Sequence, residues 1–147
     1  MKIVIGSDHA GFPLKQKVLD YLNKNYEVMD CGCYTEESVD FPDVAKKVCS
    51  AILEGQAERG IMFCGTGVGA AIACNKVKGI RASVVHDIYS AHQAVEHDDV
   101  QVITLGNQVV GYSVATDLIE TFLHARFSEE EDFRRRVRKL DRMDEER

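Results

Sequence analysis

Gly60-Ile61-Met62-Phe63-Cys64-Gly65-Thr66-Gly67-Val68-Gly69-Ala70-Ala71 decides how this chain is read. Gly60–Phe63 reads as a short buried strand. Glycine at 65, 67 and 69 then forms a turn, and small residues through Asn75 open a helix. A strand feeding a glycine-rich turn and a helix is a building unit of parallel α/β folds. The same alternation repeats on both sides. Lys2–Ile5 reads as a first strand, Gly6–Gly11 as a turn, and about Pro13–Lys24 as a helix. Tyr26–Asp30 is a second strand and Gly32–Phe41 a loop, and Pro42 suits the first turn of a helix running to about Glu54. Ile80–Val85 and Val100–Leu105 are the fourth and fifth strands, with helices at about Asp87–Glu96 and about Tyr112–Ala125. The pattern predicts one Rossmann-like, doubly wound α/β domain over residues 1–147. It has five parallel strands, helices on both faces and right-handed crossovers. Sites in such sheets lie at the carboxyl ends of the strands, which directs attention to the loops after the first, third and fifth.

Composition narrows the function. The 147 residues are 45% hydrophobic and 29% charged, an ordinary globular balance that argues against disorder. A net charge of −6 disfavours a protein that coats nucleic acid or an acidic membrane. No apolar run approaches the ~20 residues that a spanning helix needs. Met1–Gly6 is briefly apolar but reaches Asp8 and His9 at once, unlike a signal peptide, so a soluble cytoplasmic protein is expected. Five cysteines are an odd number for a disulfide framework. Cys31-Gly32-Cys33 is one residue short of a C-x-x-C pair and no His/Cys cluster follows, so reduced thiols are the better reading and no metal site is expected.

The tail reads differently. Ser128-Glu129-Glu130-Glu131 has the form of a capping box with Ser128 as N-cap. The helix it opens places Phe133, Val137, Leu140 and Met143 in one apolar stripe, to be covered by the chain's own domain or by a second subunit. Residues 126–147 hold eight basic and eight acidic side chains, so the arginine run is a balanced, solvated face rather than a nucleic-acid patch.

The glycine-rich turn offers backbone N–H groups at a helix start, an anion cradle with Cys64 at its lip. It lacks the Lys-Ser/Thr pair of a P-loop and the spacing of a dinucleotide fingerprint. A thiol so placed is favoured as thiolate, a usable base or nucleophile. An ordinary buried cysteine at a strand end fits the segment equally. Ser7-Asp8-His9 puts an acid and a base on the same sheet edge. His97, in Glu96-His97-Asp98-Asp99, falls at the opposite, amino edge of the sheet. It is either a helix C-terminal cation or a group that acts across a subunit interface.

Taken in order, Ser7–Gly11, Glu37–Pro42, Cys64–Gly69, Ala73–Lys76 with Gly79–Ala82, and Leu105-Gly106 with Val109–Gly111 resemble the ribose-5-phosphate isomerase B family, which includes the galactose-6-phosphate isomerase subunits. The resemblance spans nearly the whole chain. It implies an aldose–ketose isomerase without metal or other cofactor, acting on a small sugar phosphate. The family works as a homodimer or dimer of dimers with active sites shared between subunits, which gives the tail helix a partner to pack on. By the same resemblance Cys64 is the proton-transfer base, His97 opens the sugar ring, and Asp8 and His9 contact the sugar. Thr66 and the backbone of Gly65, Gly67 and Gly69 line the oxyanion site, while Val68, Asp98, Gln108 and Arg136 stand at substrate-binding positions.

The chain departs from the family pattern in four places. Asp98 replaces an Asn, Gln108 an Arg, and Phe41 a Tyr. Asp132-Phe133 replaces Arg-His in a phosphate-binding stretch of which only Arg136 is kept. A carboxylate ~4 Å from a phosphate costs about 4 kcal/mol at an effective dielectric near 20. Arg134, Arg135 or Arg138 could restore the charge. The alternatives are therefore an isomerase of a different or unphosphorylated sugar, or a non-catalytic partner subunit that kept the fold.

Overall fold

A computed structural model describes residues 1–147. The elements alternate as the sequence predicts: β1 (Lys2–Ser7), α1 (Phe12–Leu22), β2 (Glu27–Asp30), α2 (Phe41–Leu53), β3 (Arg59–Cys64), α3 (Val68–Asn75), β4 (Ala82–Val84), α4 (Ile88–Asp98), β5 (Val102–Gly106), α5 (Tyr112–His124) and α6 (Glu131–Glu145). The five strands form one sheet in the order β2-β1-β3-β5-β4. Every pairing is parallel. From β1 the chain steps outward to β2 and then returns to β3 on the other side, so the strand order reverses between β1 and β3. The crevice at such a reversal is where open α/β sheets hold ligands.

Side-chain alternation divides the core into two layers. Ile3, Ile5, Ile61, Phe63, Ile103 and Leu105 point to the face covered by α1, α4 and α5. Val4, Met62, Cys64 and Val102 point to the face covered by α2 and α3. Each fully buried Ile or Phe contributes about 1.5–3 kcal/mol through removal of apolar surface from water. One charge is sunk in this frame. Lys15 is fully buried and donates to both oxygens of Asp30 at 2.8 and 3.0 Å and to the Cys33 carbonyl, which ties α1 to the loop after β2.

The fourth strand is shorter than its sequence pattern suggests. The Asn75 carboxamide accepts from the Ala82 N–H at 2.8 Å and donates to the Ala82 carbonyl at 2.9 Å, so a side chain takes up the outer edge of β4.

The tail corrects one expectation and narrows another. Ser128 is not the N-cap of α6. Its Oγ accepts from the Glu130 N–H at 3.1 Å in a local turn, its own N–H donates to the Glu96 carbonyl, and the helix begins at Glu131 with Glu130 still extended. Nor does the apolar stripe wait wholly on a partner. Val137 is buried and Phe133 lies on α4 of the same chain, whereas Leu140 and Met143 stay 42% and 66% exposed. Arg81 secures this arrangement. Its guanidinium donates to the Asp98 and Asp99 carbonyls, to the Asp99 carboxylate at 3.0 Å and to Asp141 of α6 at 2.8 Å.

Candidate active site

Cys64 is the last residue of β3 and only 5% exposed. Its Sγ accepts the Gly67 N–H at 3.0 Å. Gly67 caps α3 with φ +84°, a conformation natural to glycine and strained for other residues. The turn then leaves its first helical donors unclaimed: Gly69 and Ala70 donate to no backbone carbonyl, and the Val68 N–H reaches only the Thr66 Oγ1 at 3.2 Å. Free N–H groups at the positive end of a helix favour an oxygen that gains negative charge.

The other loops close around this turn. Gly11 fits so tightly that a Cβ there would meet the Phe63 backbone at 2.3 Å, which brings the loop after β1 onto the end of β3. The carboxylate of Asp8 accepts the Gly11 N–H through Oδ1 at 2.9 Å, leaving Oδ2 without a protein partner. His9 Nδ1 lies 3.2 Å from the Val39 nitrogen and 3.3 Å from the Val39 carbonyl oxygen, so Nε2 is the nitrogen free to meet a ligand. After β5, the Gln108 N–H donates to the Gly65 carbonyl at 3.0 Å, and a Cβ at Gly65 would lie 3.8 Å from the Gln108 carboxamide carbon. Cys64, Gly65, Thr66, Gly67, Val68, Gly69, Asp8, His9 and Gln108 thus gather at one sheet edge. Phe41, where the family has Tyr, packs its ring against Gly69, where a Cβ would sit 2.9 Å from it. A cleft of about 410 Å³ opens here between Asp8, His9 and the Val39–Asp43 segment.

His97, Asp98 and Arg136 are not part of that edge. His97 lies in the last turn of α4, just before β5 begins, while Gln108 and the Cys64 turn lie past the other end of that strand. Five residues of strand separate the two edges by about 17 Å. The His97 ring stacks on Phe133, centroids 4.0 Å apart and planes 6° from parallel, and the Arg136 guanidinium lies over the Phe133 ring, 5.6 Å from its centroid. Asp132 is held by Arg135 at 2.8 Å and Glu131 by Arg138. Arg134 donates to the Ser128 carbonyl, leaving Arg136 as the only one of these four arginines that makes no hydrogen bond. Those pairings set Asp132 and Glu131 each beside an arginine of the same helix.

The sequence pattern of the ribose/galactose isomerase family matches residues 3–140. The chain belongs to this family. Among its relatives in the ribose/galactose isomerase family is a protein from Listeria innocua named ribose-5-P isomerase B, 43% identical over 129 residues, which are 87% of each chain. A Pectobacterium atrosepticum protein named D-erythrulose-4-phosphate isomerase is 42% identical over 129 residues, 86% of this chain and 85% of that one. The solved structure of Clostridium thermocellum ribose-5-phosphate isomerase B superposes with a TM-score of 0.96 at 45% identity, covering 99% of both chains. The chain is accordingly an isomerase, with the five-stranded parallel α/β fold of ribose/galactose isomerases.

The remaining thiols stand apart from that chemistry. All five cysteines are free. Burial, and then the charge of Asp30, push the Cys31 thiol up. The Cys33 thiol donates to the Thr35 carbonyl at 3.3 Å. Cys74 is buried in the core, its thiol pushed up by the hydrogen bond with Cys49 and by burial. No group of three His, Cys, Asp or Glu side chains is placed to hold a metal ion, and no helix is long and apolar enough to cross a membrane.

Proposed function

We propose that the protein interconverts ribose 5-phosphate and ribulose 5-phosphate through an enediolate, in sites that two copies of the chain build together. The observation that carries this reading is the Gly67 N–H on the Cys64 sulfur beside the unclaimed donors of Gly69 and Ala70 and the Val68 N–H, which only the Thr66 hydroxyl engages. Cys64, as thiolate, removes the C2 proton of the open-chain aldose and returns it to C1, while a proton passes from O2 to O1. Charge develops on the carbonyl oxygen, and a preorganised donor there is worth about 3–4 kcal/mol in the transition state. Asp8 Oδ2 and His9 Nε2 face the sugar from the loop after β1.

His97 belongs to the second copy. Its imidazole exchanges protons with the ring oxygen and the anomeric hydroxyl to open the furanose, and the unpaired Arg136 beside it takes the phosphate. An arginine fork suits a phosphate because two N–H groups meet two oxygens. The exposed Leu140 and Met143, with Val68 and Ile72 on α3, supply apolar surface for such an association.

A second reading, an isomerase for a different sugar, draws support from Gln108, whose side chain is a neutral carboxamide lying against Gly65. The relative named for erythrulose 4-phosphate adds a substrate to try. Proton NMR in D₂O separates the readings by following deuterium entry next to the carbonyl of ribose 5-phosphate, erythrulose 4-phosphate, free ribose and allose. Exchange confined to ribose 5-phosphate is expected. Faster exchange with erythrulose 4-phosphate or the free sugars would overturn the ribose 5-phosphate assignment.

A further inference from the structure

Thr104 is a fully buried hydroxyl in the middle of β5. It faces the α2/α3 layer, where its neighbours along the strand are Val102 and Gly106. Valine has nearly the same shape and would fill this space without a polar atom. A hydroxyl buried without a partner is costly in proteins, so its presence asks what it bonds. Its Oγ1 donates to the Gly67 carbonyl at 2.6 Å.

That carbonyl has a special position. It also accepts the first helical bond of α3, from the Ala71 N–H at 3.1 Å. The peptide unit that carries it continues into the Val68 N–H, the first donor of the cradle, which the Thr66 hydroxyl accepts at 3.2 Å. On its other side, Gly67 gives its own N–H to the Cys64 sulfur. At φ +84° with no Cβ, Gly67 has little steric restraint of its own, and rotation of the Gly67–Val68 peptide would turn the Val68 N–H away. A donor on the carbonyl opposes that rotation and polarises the N–H of the same peptide unit.

We propose that Thr104 is a positioning residue for the isomerase reaction: its hydroxyl locks the Gly67–Val68 peptide so that the cradle's N–H groups meet the enediolate and the Gly67 N–H stays on Cys64. The inference rests on the reading of this turn as the enediolate site. It touches neither substrate nor reacting atoms, and nothing in the sequence distinguishes Thr104 from the other strand residues around it.

Thr104→Val removes the donor at constant shape, and Thr104→Ser keeps the donor while losing a methyl group. Both variants are compared with the unaltered protein by steady-state isomerase kinetics, by thermal melting and by ¹H–¹⁵N spectra of the Gly67 and Val68 amides. Loss of one direct oxyanion donor costs about 10²–10³ in kcat, and an indirect support should cost less, roughly tenfold. Thr104→Val is expected to lose that much kcat with KM within about twofold, and to shift both amide signals. Thr104→Ser is expected to restore kcat and the amide signals together. Wild-type kcat in Thr104→Val, a kcat loss without amide shifts, amide shifts without a kcat loss, or a Thr104→Ser variant as slow as Thr104→Val would each overturn the proposal. If the unaltered protein exchanges no sugar proton, it is the reading of the site that fails. The amide signals then still report whether Thr104 holds the peptide.

Discussion

The backbone N–H of Gly67 donates to the sulfur of Cys64 at 3.0 Å, within a turn of four residues. The sulfur is thereby held toward the mouth of the cradle by a backbone donor. Removing that sulfur removes the base and leaves the N–H groups. Cys64→Ala should lose roughly 10²–10⁴ in turnover, the usual weight of a positioned general base, while sugar-phosphate binding stays close to normal. Deuterium exchange and isothermal titration together check this. Retained exchange would take Cys64 out of the role.

The distance between Cys64 and His97 within one chain makes a prediction about mixtures. Cys64→Ala and His97→Asn variants are each expected to be nearly inactive. In a mixed pair of chains, one site inherits the intact Cys64 of one copy and the intact His97 of the other. Unfolded together and refolded in equal amounts, they should recover about one quarter of normal specific activity if two-fold pairs form at random. No recovery, with mixed pairs shown to form, would mean that the two residues do not share a site.

Gly106 is crowded for a different reason than Gly67. A Cβ there would lie 2.5–2.6 Å from the backbone of Thr66, with no flexible side chain to yield. Gly106→Ala therefore has to push the cradle away from β5. Overpacking of this kind costs roughly 1–3 kcal/mol, or about 2–12 °C in melting temperature for a chain this size. A kcat loss of at least tenfold should accompany it, measured in the folded fraction. Normal kcat would show that the turn tolerates displacement.

Glu120 of α5 accepts the hydroxyls of Tyr21 and Tyr26 at 2.8 and 2.9 Å, which links α5 to α1 and to the start of β2. The bond to Glu120, followed by burial and the carboxylate's charge, pushes the Tyr21 hydroxyl up to about 12 from 10.0. A raised value in the fold means that the neutral phenol is what the fold favours. The contribution is complete below pH 10 and fades as the pH rises toward 12. Tyr21→Phe/Tyr26→Phe should melt below the unaltered protein at neutral pH, and the gap should close over that alkaline window. A gap that is constant from pH 7 to 12 would contradict the assignment.

Much of this was legible in the sequence because the decisive signals were local. The Cys64–Gly69 turn, the Ser7–Gly11 loop and the strand periodicity each sit within a dozen residues, and all ended at the predicted edge. Even the wrong-edge place of His97 followed from counting helices and strands. What could not be read depended on partners far along the chain. Ser128 looked like a cap because Glu131 follows it, but contacts with Glu96 and Arg134 keep its segment extended. Arg81 stood inside a quoted motif with no role until α4 and α6 met on it. Thr104 gave no signal, since one hydroxyl in a β-branched run changes neither period nor propensity.

The carboxamide of Asn75 has a consequence for the protein in a crowded solution. Open sheet edges invite other chains to add strands, and proteins that keep such edges tend to form aggregates. Here the outer edge of β4 is only three residues long, and its first donor and acceptor, those of Ala82, are already satisfied by a side chain that cannot continue the ladder. Asn75 acts as a stopper at the end of the sheet. Its replacement by leucine would leave both groups of Ala82 open beside a newly apolar rim, and the first sign should be turbidity on concentration rather than a slower enzyme.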